Sequence, residues 1–451
     1  MLVYFFKMKR QLLSTIAMIG ILAVAGCRTH HSTSKSDNTP PAGFSALFNG
    51  ADIAGWWGAA TEDPRKYLAL PADDFKKKHD ASLEDIRQHW SVQNGELVND
   101  GKGLYLTTEK NYGDFELLLD YKTVPLADSG IYLRGVPQVQ IWDHTNPKEF
   151  KNGAQKGSGA LWNNSANAAG KFPLVLADKP FGEWNHVRVV MCGSRVWVWL
   201  NDKKTVDGAV LENFYNRKLP VLPKGPIQLQ THGGEIRWRN VFIREIGGDE
   251  ANRRLRGTDP LGFRSVFNVE DFAGWDGPVD NYEVREGAIT CKPGKGGTIF
   301  TKAEYTNFAV RLEFKLPPGG NNGLAIRYPG SGDTAYAGMC ECQVLDDNYE
   351  KATGEKIDPR QAHGSAYGMV AAQRGYQHPI GEWNYEEVTV NGSTLKVDLN
   401  GTVILDTDLA KVTEFLAGHA HPGKDRTSGH FGFAGHNDPV MFRNIFIQRL
   451  N

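Results

Sequence analysis

Acids, amides, bases and aromatics alternate along one stretch of the chain, Tyr112 to Asp143, at a spacing that sets them on one face of successive β-strands. Glu116, Asp120 and Lys122 share the polar parity of a first strand. Tyr132 and Arg134 share that of a second, and Gln138, Gln140 and Trp142 that of a third. The opposite parity is apolar: Phe115, Leu117, Leu119, Tyr121, then Ile131 and Leu133, then Val139 and Ile141. A half-buried sheet offering such groups to water is a candidate site for a polyhydroxylated ligand.

The pattern returns from Thr306 to Asp346. Asp120 answers to Glu313, Lys122 to Lys315, Arg134 to Arg327, Gln140 to Gln343 and Asp143 to Asp346, with Gln138 facing Glu341. Asp120 and Glu313 are the candidate general bases, since a carboxylate half-buried beside a ligand has a raised pKa. Each also stands two residues before a lysine of the same parity, and an exposed ion pair is the plainer reading. Arg134 and Arg327 could bind carbonyl or hydroxyl oxygens in a planar fork, or bridge the sheet structurally. Gln138, Gln140, Glu341 and Gln343 suit hydrogen bonds to hydroxyls; a solvated polar face is the alternative. His232 and His436 close matching segments and could donate a proton near neutral pH, or simply sit in surface turns. His363, Trp162 and Tyr367 lie between, the two aromatics fit either to stack on a sugar ring or to pack in the core.

Other repeated segments carry these residues into place. Phe48-Asn49-Gly50 with Gly55-Trp56 returns as Phe267-Asn268 with Gly274-Trp275, Gly182-Glu183-Trp184-Asn185 as Gly381-Glu382-Trp383-Asn384, and Arg239-Asn240-Val241 as Arg443-Asn444-Ile445. The chain is therefore read as a duplication: 44–246, a linker 247–262, and 263–451. Short strands with turn signals such as Gly193-Ser194 and Asn391-Gly392, and almost no helical periodicity, predict two antiparallel jelly-roll β-sandwiches, each with one concave ligand-facing sheet. Residues 58–90, charged and unique to the first unit, predict a short helix near Ser82 that rims the site or covers an edge. Trp197 and Trp199, on the non-core parity of one strand, predict contact with the other unit.

Composition agrees with a globular all-β chain: 451 residues, 40% hydrophobic, 50 glycines. A formal net charge of -1 gives no electrostatic case for nucleic acid. At the start, Lys7, Lys9 and Arg10 precede an apolar run ending Ala23-Val24-Ala25-Gly26-Cys27. This resembles a bacterial lipoprotein leader (1–26) with Cys27 lipidated and 27–43 a flexible tether, which implies a membrane partner through the lipid and the envelope of a Gram-negative bacterium. The remaining cysteines, Cys192, Cys291, Cys340 and Cys342, lack zinc spacing and read as buried small residues. No cofactor is expected. Asp346-Asp347-Asn348 could hold calcium but lacks the full loop pattern.

The ordered motifs, Leu47-Phe48-Asn49-Gly50, Tyr112-Gly113-Asp114-Phe115, Ser129-Gly130-Ile131-Tyr132-Leu133-Arg134, Val139-Gln140-Ile141-Trp142-Asp143, Gly182-Glu183-Trp184-Asn185 and Arg239-Asn240-Val241, resemble the 3-keto-disaccharide hydrolase family. That resemblance implies two concanavalin-like jelly rolls and a substrate already oxidised at sugar carbon 3. The ketone acidifies the carbon-2 hydrogen, so elimination and hydration need a base, an oxyanion stabiliser and a proton donor. A sugar oxidoreductase is then implied as the source of the substrate. Two rivals stand: a non-catalytic carbohydrate-binding protein, and a conventional jelly-roll glucanase, for which Glu313 with Glu341 is the only evident pair of same-face carboxyls.

Overall fold

A computed structural model describes residues 38–257 and 262–451. The expected leader and Cys27 lie outside the described residues. Each repeat is a sandwich of two antiparallel sheets, one of eight strands and one of five. In the first, the eight-stranded sheet runs Lys203–Val210, Arg195–Leu200, Asn185–Cys192, Phe115–Thr123, Ile236–Glu245, Glu96–Asn99, Trp90–Gln93, with Ser45–Ala46 beside Ile236–Glu245. Its five-stranded partner runs Trp56–Ala59, Tyr105–Thr108, Gln228–Leu229, Asp128–Leu133, Val136–Trp142. The second sandwich repeats the topology; its five-stranded sheet is Trp275–Asp276, Gly296–Tyr305, Gly429–His436, Asn321–Tyr328, Cys340–Leu345.

One expectation is corrected here. The three strands from Phe115 to Trp142 do not lie in one sheet: Phe115–Thr123 belongs to the eight-stranded sheet and the following hairpin to the five-stranded one. Phe115, Leu117, Leu119 and Tyr121 meet Ile131, Leu133, Val139 and Ile141 across the core. The polar faces therefore look out from opposite sides of the sandwich. Alternation fixes which face a residue takes but not which sheet, because both inner faces of a sandwich carry the same pattern.

The charged insertion forms two helices, α1 (Pro64–Leu68) and α2 (Ala72–His89). Proline at N1 and the Asp63 cap start α1. The insertion packs on Trp57 through Tyr67 and Phe75, rings 5.3 Å away in each case. The linker is not merely a spacer, for it holds helix α3 (Gly248–Arg256). Leu255 and Ala251 pack with Trp197, Trp199 and Val190 of the first sandwich, and Asn252 Nδ2 donates to Trp383 O of the second at 2.8 Å. The tryptophans thus bury against the linker helix. Elsewhere Ser194 N donates to Gly401 O at 3.1 Å and Arg195 to Asp398 at 2.9 Å. Gly193 makes this approach possible: a Cβ there would stand 2.0 Å from Asn400 O. The end of the expected tether is also held, since Asn38 is buried, donating to Gly95 O and accepting from Asn240 N, both at 2.9 Å. The four described cysteines are buried and free.

Candidate functional site

Most of the repeated polar residues are architectural. Asp120 and Glu313 face outward from the eight-stranded sheets and are 2% and 1% exposed. Asp120 accepts from Arg239 Nε at 3.1 Å and Asn240 Nδ2 at 2.9 Å, and touches His186. Glu313 accepts from Arg443 Nε at 2.8 Å, Asn444 Nδ2 at 3.0 Å and the linker's Arg256. These carboxylates pin the left-handed Asn240 and Asn444, both at φ 53°, so the structure favours an ion-pair role for them over that of bases, with arginine rather than the expected lysine as partner. Beside them Arg239 stacks over Trp184 at 4.2 Å and Arg443 over Trp383 at 4.0 Å.

Arg134 and Arg327 are corrected likewise. Both sit at positive φ, 54° and 49°, which turns their side chains inward. Arg134 donates to Gly113 O at 2.9 and 2.7 Å, to Leu222 O at 3.1 Å and to Asp114 at 2.8 Å. Arg327 donates to Thr306 O, Gly392 O and Arg426 O. Their donors are spent on tying loops to the sandwich. Asp143 caps Leu126 N and Thr145 N, and Asp346 caps Gly319 N and Asn348 N. Asp347 accepts from Gly375 N, so this acidic run serves backbone amides. His363 lies in the core against Phe314, 3.8 Å from Glu386. Trp162 meets Trp142 edge-on and donates to Asn152 O at 2.9 Å.

What remains converges on the outer faces of the five-stranded sheets. In the second, Glu341 and Gln343 stand on the edge strand Cys340–Leu345, Asn321, Gly323 and Ala325 on its neighbour, and Ala434 and His436 on the next. Glu341 lies over Gly323, where a Cβ would meet Oε1 at 2.0 Å, and approaches His436 Nε2 at 3.7 Å. That carboxylate raises the pKa of half-exposed His436. Gln343 donates to Asn321 Oδ1 at 2.8 Å and leaves its own buried Oε1 unpartnered. One wall is α4 (Thr334–Ala337), capped by Asp333 and joined to the sheet by Thr334 Oγ1 and Thr298 Oγ1, 2.5 Å apart. It carries Tyr336, whose ring stands 4.7 Å from that of His421. Tyr367 is held by Gln361 Nε2 at 3.0 Å.

The first sandwich builds the same face differently. Gln138 donates to Gln140 at 2.6 Å, Gln140 to Asp128 at 2.7 Å, and Asp128 pairs with His232 Nδ1 at 2.8 Å, raising that histidine's pKa. The acid has exchanged places with an amide: Asp128 and Gln138 stand where the second sandwich has Asn321 and Glu341. Tyr132, Gln228 and Gln230 fill the positions that Ala325, Gly432 and Ala434 leave small. Tyr132 packs edge-on against Tyr105 at 5.3 Å, and α1 lays Tyr67 over Gly135. Asp128 was legible, two residues before Gly130 on the same parity. Tyr336 was not, because its loop has no counterpart in the first repeat.

A family model described as a 3-keto-alpha-glucoside-1,2-lyase-like domain matches residues 43–244 and again 262–448. The chain is 27% identical over 233 residues to a 3-keto-disaccharide hydrolase of Bacteroides thetaiotaomicron, covering 43% of this chain and 80% of that protein. Two crystal structures from Parabacteroides distasonis, provisionally named glycosyl hydrolases, align at 25% and 27% identity. Each covers 42% of this chain, with 95% and 99% of the solved chains and TM-scores of 0.37 and 0.36.

Proposed function

The chain belongs to the 3-keto-alpha-glucoside-1,2-lyase-like family through both of its sandwiches, and on that premise we propose that it is a glycoside hydrolase-like enzyme of 3-keto-disaccharides whose chemistry runs on the second sandwich. The observation that carries this reading is the pairing of Glu341 with His436, 3.7 Å apart over Gly323. Glu341 takes the proton from carbon 2, and electrons move toward the carbon-3 oxygen. The carbon-1 to oxygen bond breaks as protonated His436 gives its proton to the leaving oxygen. Water then adds to carbon 1 of the enone and a proton returns to carbon 2, completing net hydrolysis. Gln343 and Tyr336 line the same face and supply hydrogen bonds to sugar oxygens. The first sandwich, with Gln138 in place of the base and large residues across its face, binds saccharide without cleaving it.

The glucanase alternative loses its pair, since Glu313 and Glu341 face outward from opposite sheets. We further read the mature protein as lipid-anchored at Cys27 in a Gram-negative envelope, fed with ketone by a sugar oxidoreductase. A mass-spectrometric cleavage assay in deuterated water, on a 3-keto-glucoside and its unoxidised parent, tests the reaction. The keto form alone should be cleaved, with deuterium at carbon 2. Glu341→Gln should lower cleavage about 10²- to 10⁴-fold, and activity undiminished in that variant would move the base elsewhere.

A further inference from the structure

A second surface of the first sandwich carries a pattern that catalysis does not use. Residues 144–179 link the edge strand of the five-stranded sheet to the eight-stranded sheet. They expose Phe150 at 40%, Leu174 at 68%, Val175 at 38% and Leu176 at 45%. Three consecutive large apolar side chains in water exceed the scattered single residues normal on a soluble surface, and Phe150 adds another on the loop packed against them. The two loops support one another: Phe172 fills the space beside Gly153, and Leu176 that beside Gly157. Lys156 Nζ stands 3.4 Å from the Phe172 ring centre. The apolar tips thus rise from a fixed base.

Their charge is one-sided. The segment holds five lysines, Lys148, Lys151, Lys156, Lys171 and Lys179, against Glu149 and Asp178. All but Lys171 are exposed. The corresponding loop of the second sandwich, 347–378, balances four acids with four bases and exposes no large apolar side chain among the described residues. The feature therefore does not follow from the fold, which the two units share.

We propose that the 147–156 and 172–179 loops dock on an anionic lipid surface, the leucines and Phe150 entering the interfacial layer and the lysines meeting headgroups. Exposed apolar side chains in a lysine-rich segment are the composition that binds such an interface, by burial plus electrostatic attraction. A second copy of the chain is the poorer occupant, because a twofold pairing would set one basic patch against itself. The proposal is independent of the catalytic reading, for none of these residues belongs to the Glu341–His436 face.

Hydrogen exchange of the full chain, read by mass spectrometry with phosphatidylcholine vesicles and with vesicles containing phosphatidylglycerol, is the test. Exchange across 147–156 and 172–179 should slow only with the anionic lipid. Lys148→Glu/Lys151→Glu/Lys156→Glu should weaken that effect by about a hundredfold, at about fivefold per lysine. Leu174→Ser/Val175→Ser, which leaves the Leu176 packing on Gly157 in place, should remove it at unchanged melting temperature. Equal exchange in both vesicles overturns the proposal. So does slowing without vesicles that grows with protein concentration, which would assign the patch to self-association.

Discussion

At the scale of single residues, the proposed base Glu341 stands where the two repeats differ, Gln138 taking its place in the first. Asp120, Arg134, Arg239 and Asn240 and their counterparts are matched so closely because each closes a loop or pins a bulge in the same fold. Replacing Arg134 or Arg327 with lysine would leave several buried carbonyls without donors, and a loss of stability on the order of 3 kcal/mol should follow, measured by denaturant titration. Glu341→Gln should instead lower kcat about 10²- to 10⁴-fold with the melting curve unmoved. His436 adds a pH signature. Its pKa is raised by Glu341, so the protonated donor persists above the ordinary 6.5 and the rate falls as pH rises through the shifted value. A kcat profile flat across that range would remove His436 as the donor.

At the scale of elements, period-two alternation and turn residues made the strands readable: the hairpin at Gly193-Ser194 forms with the register that turn implies, while the second turns on Gly392-Ser393, one residue beyond the expected Asn391-Gly392, with Asn391 paired to Thr394. Sheet membership was hidden, since Phe115–Thr123 and Asp128–Leu133 carry one pattern yet lie in different sheets. The long helix α2 was half-hidden. Its apolar residues are few, but Phe75, Leu83 and Ile86 recur at helical spacing and hold it on Trp57 and the core of the first sandwich. Gly323 shows how an element shapes the site: it gives room for Glu341 to fold across its strand. Gly323→Ala should push that carboxylate away from His436 and reduce cleavage at least tenfold while exchange protection of the sheet persists; unchanged activity would mean Glu341 needs no such room.

At the scale of the molecule, one duplication has been furnished twice, and the core shows it as clearly as the surface. Where the first sandwich buries Val187, the second buries Glu386, wholly enclosed and pushed up to about 8 by loss of solvent, with His363 held down to about 3 for the same reason. Burial thus favours the neutral form of each. Glu386 has a folded pKa above its unfolded value of 4.5, so its stability is full below that pH and is lost as pH climbs toward 8. His363 works in the opposite sense, costing stability as pH falls from 6.5 toward 3. Glu386→Val copies the first sandwich and removes the first dependence alone. The variant should gain stability over its parent by a margin that widens from pH 5 to pH 8, on the order of a few kcal/mol at the upper end. Thermal melting across that range decides it. A margin that stays constant with pH would mean that Glu386 is ionised inside the fold, paired with a protonated His363, and that the second core tolerates a buried ion pair where the first has none.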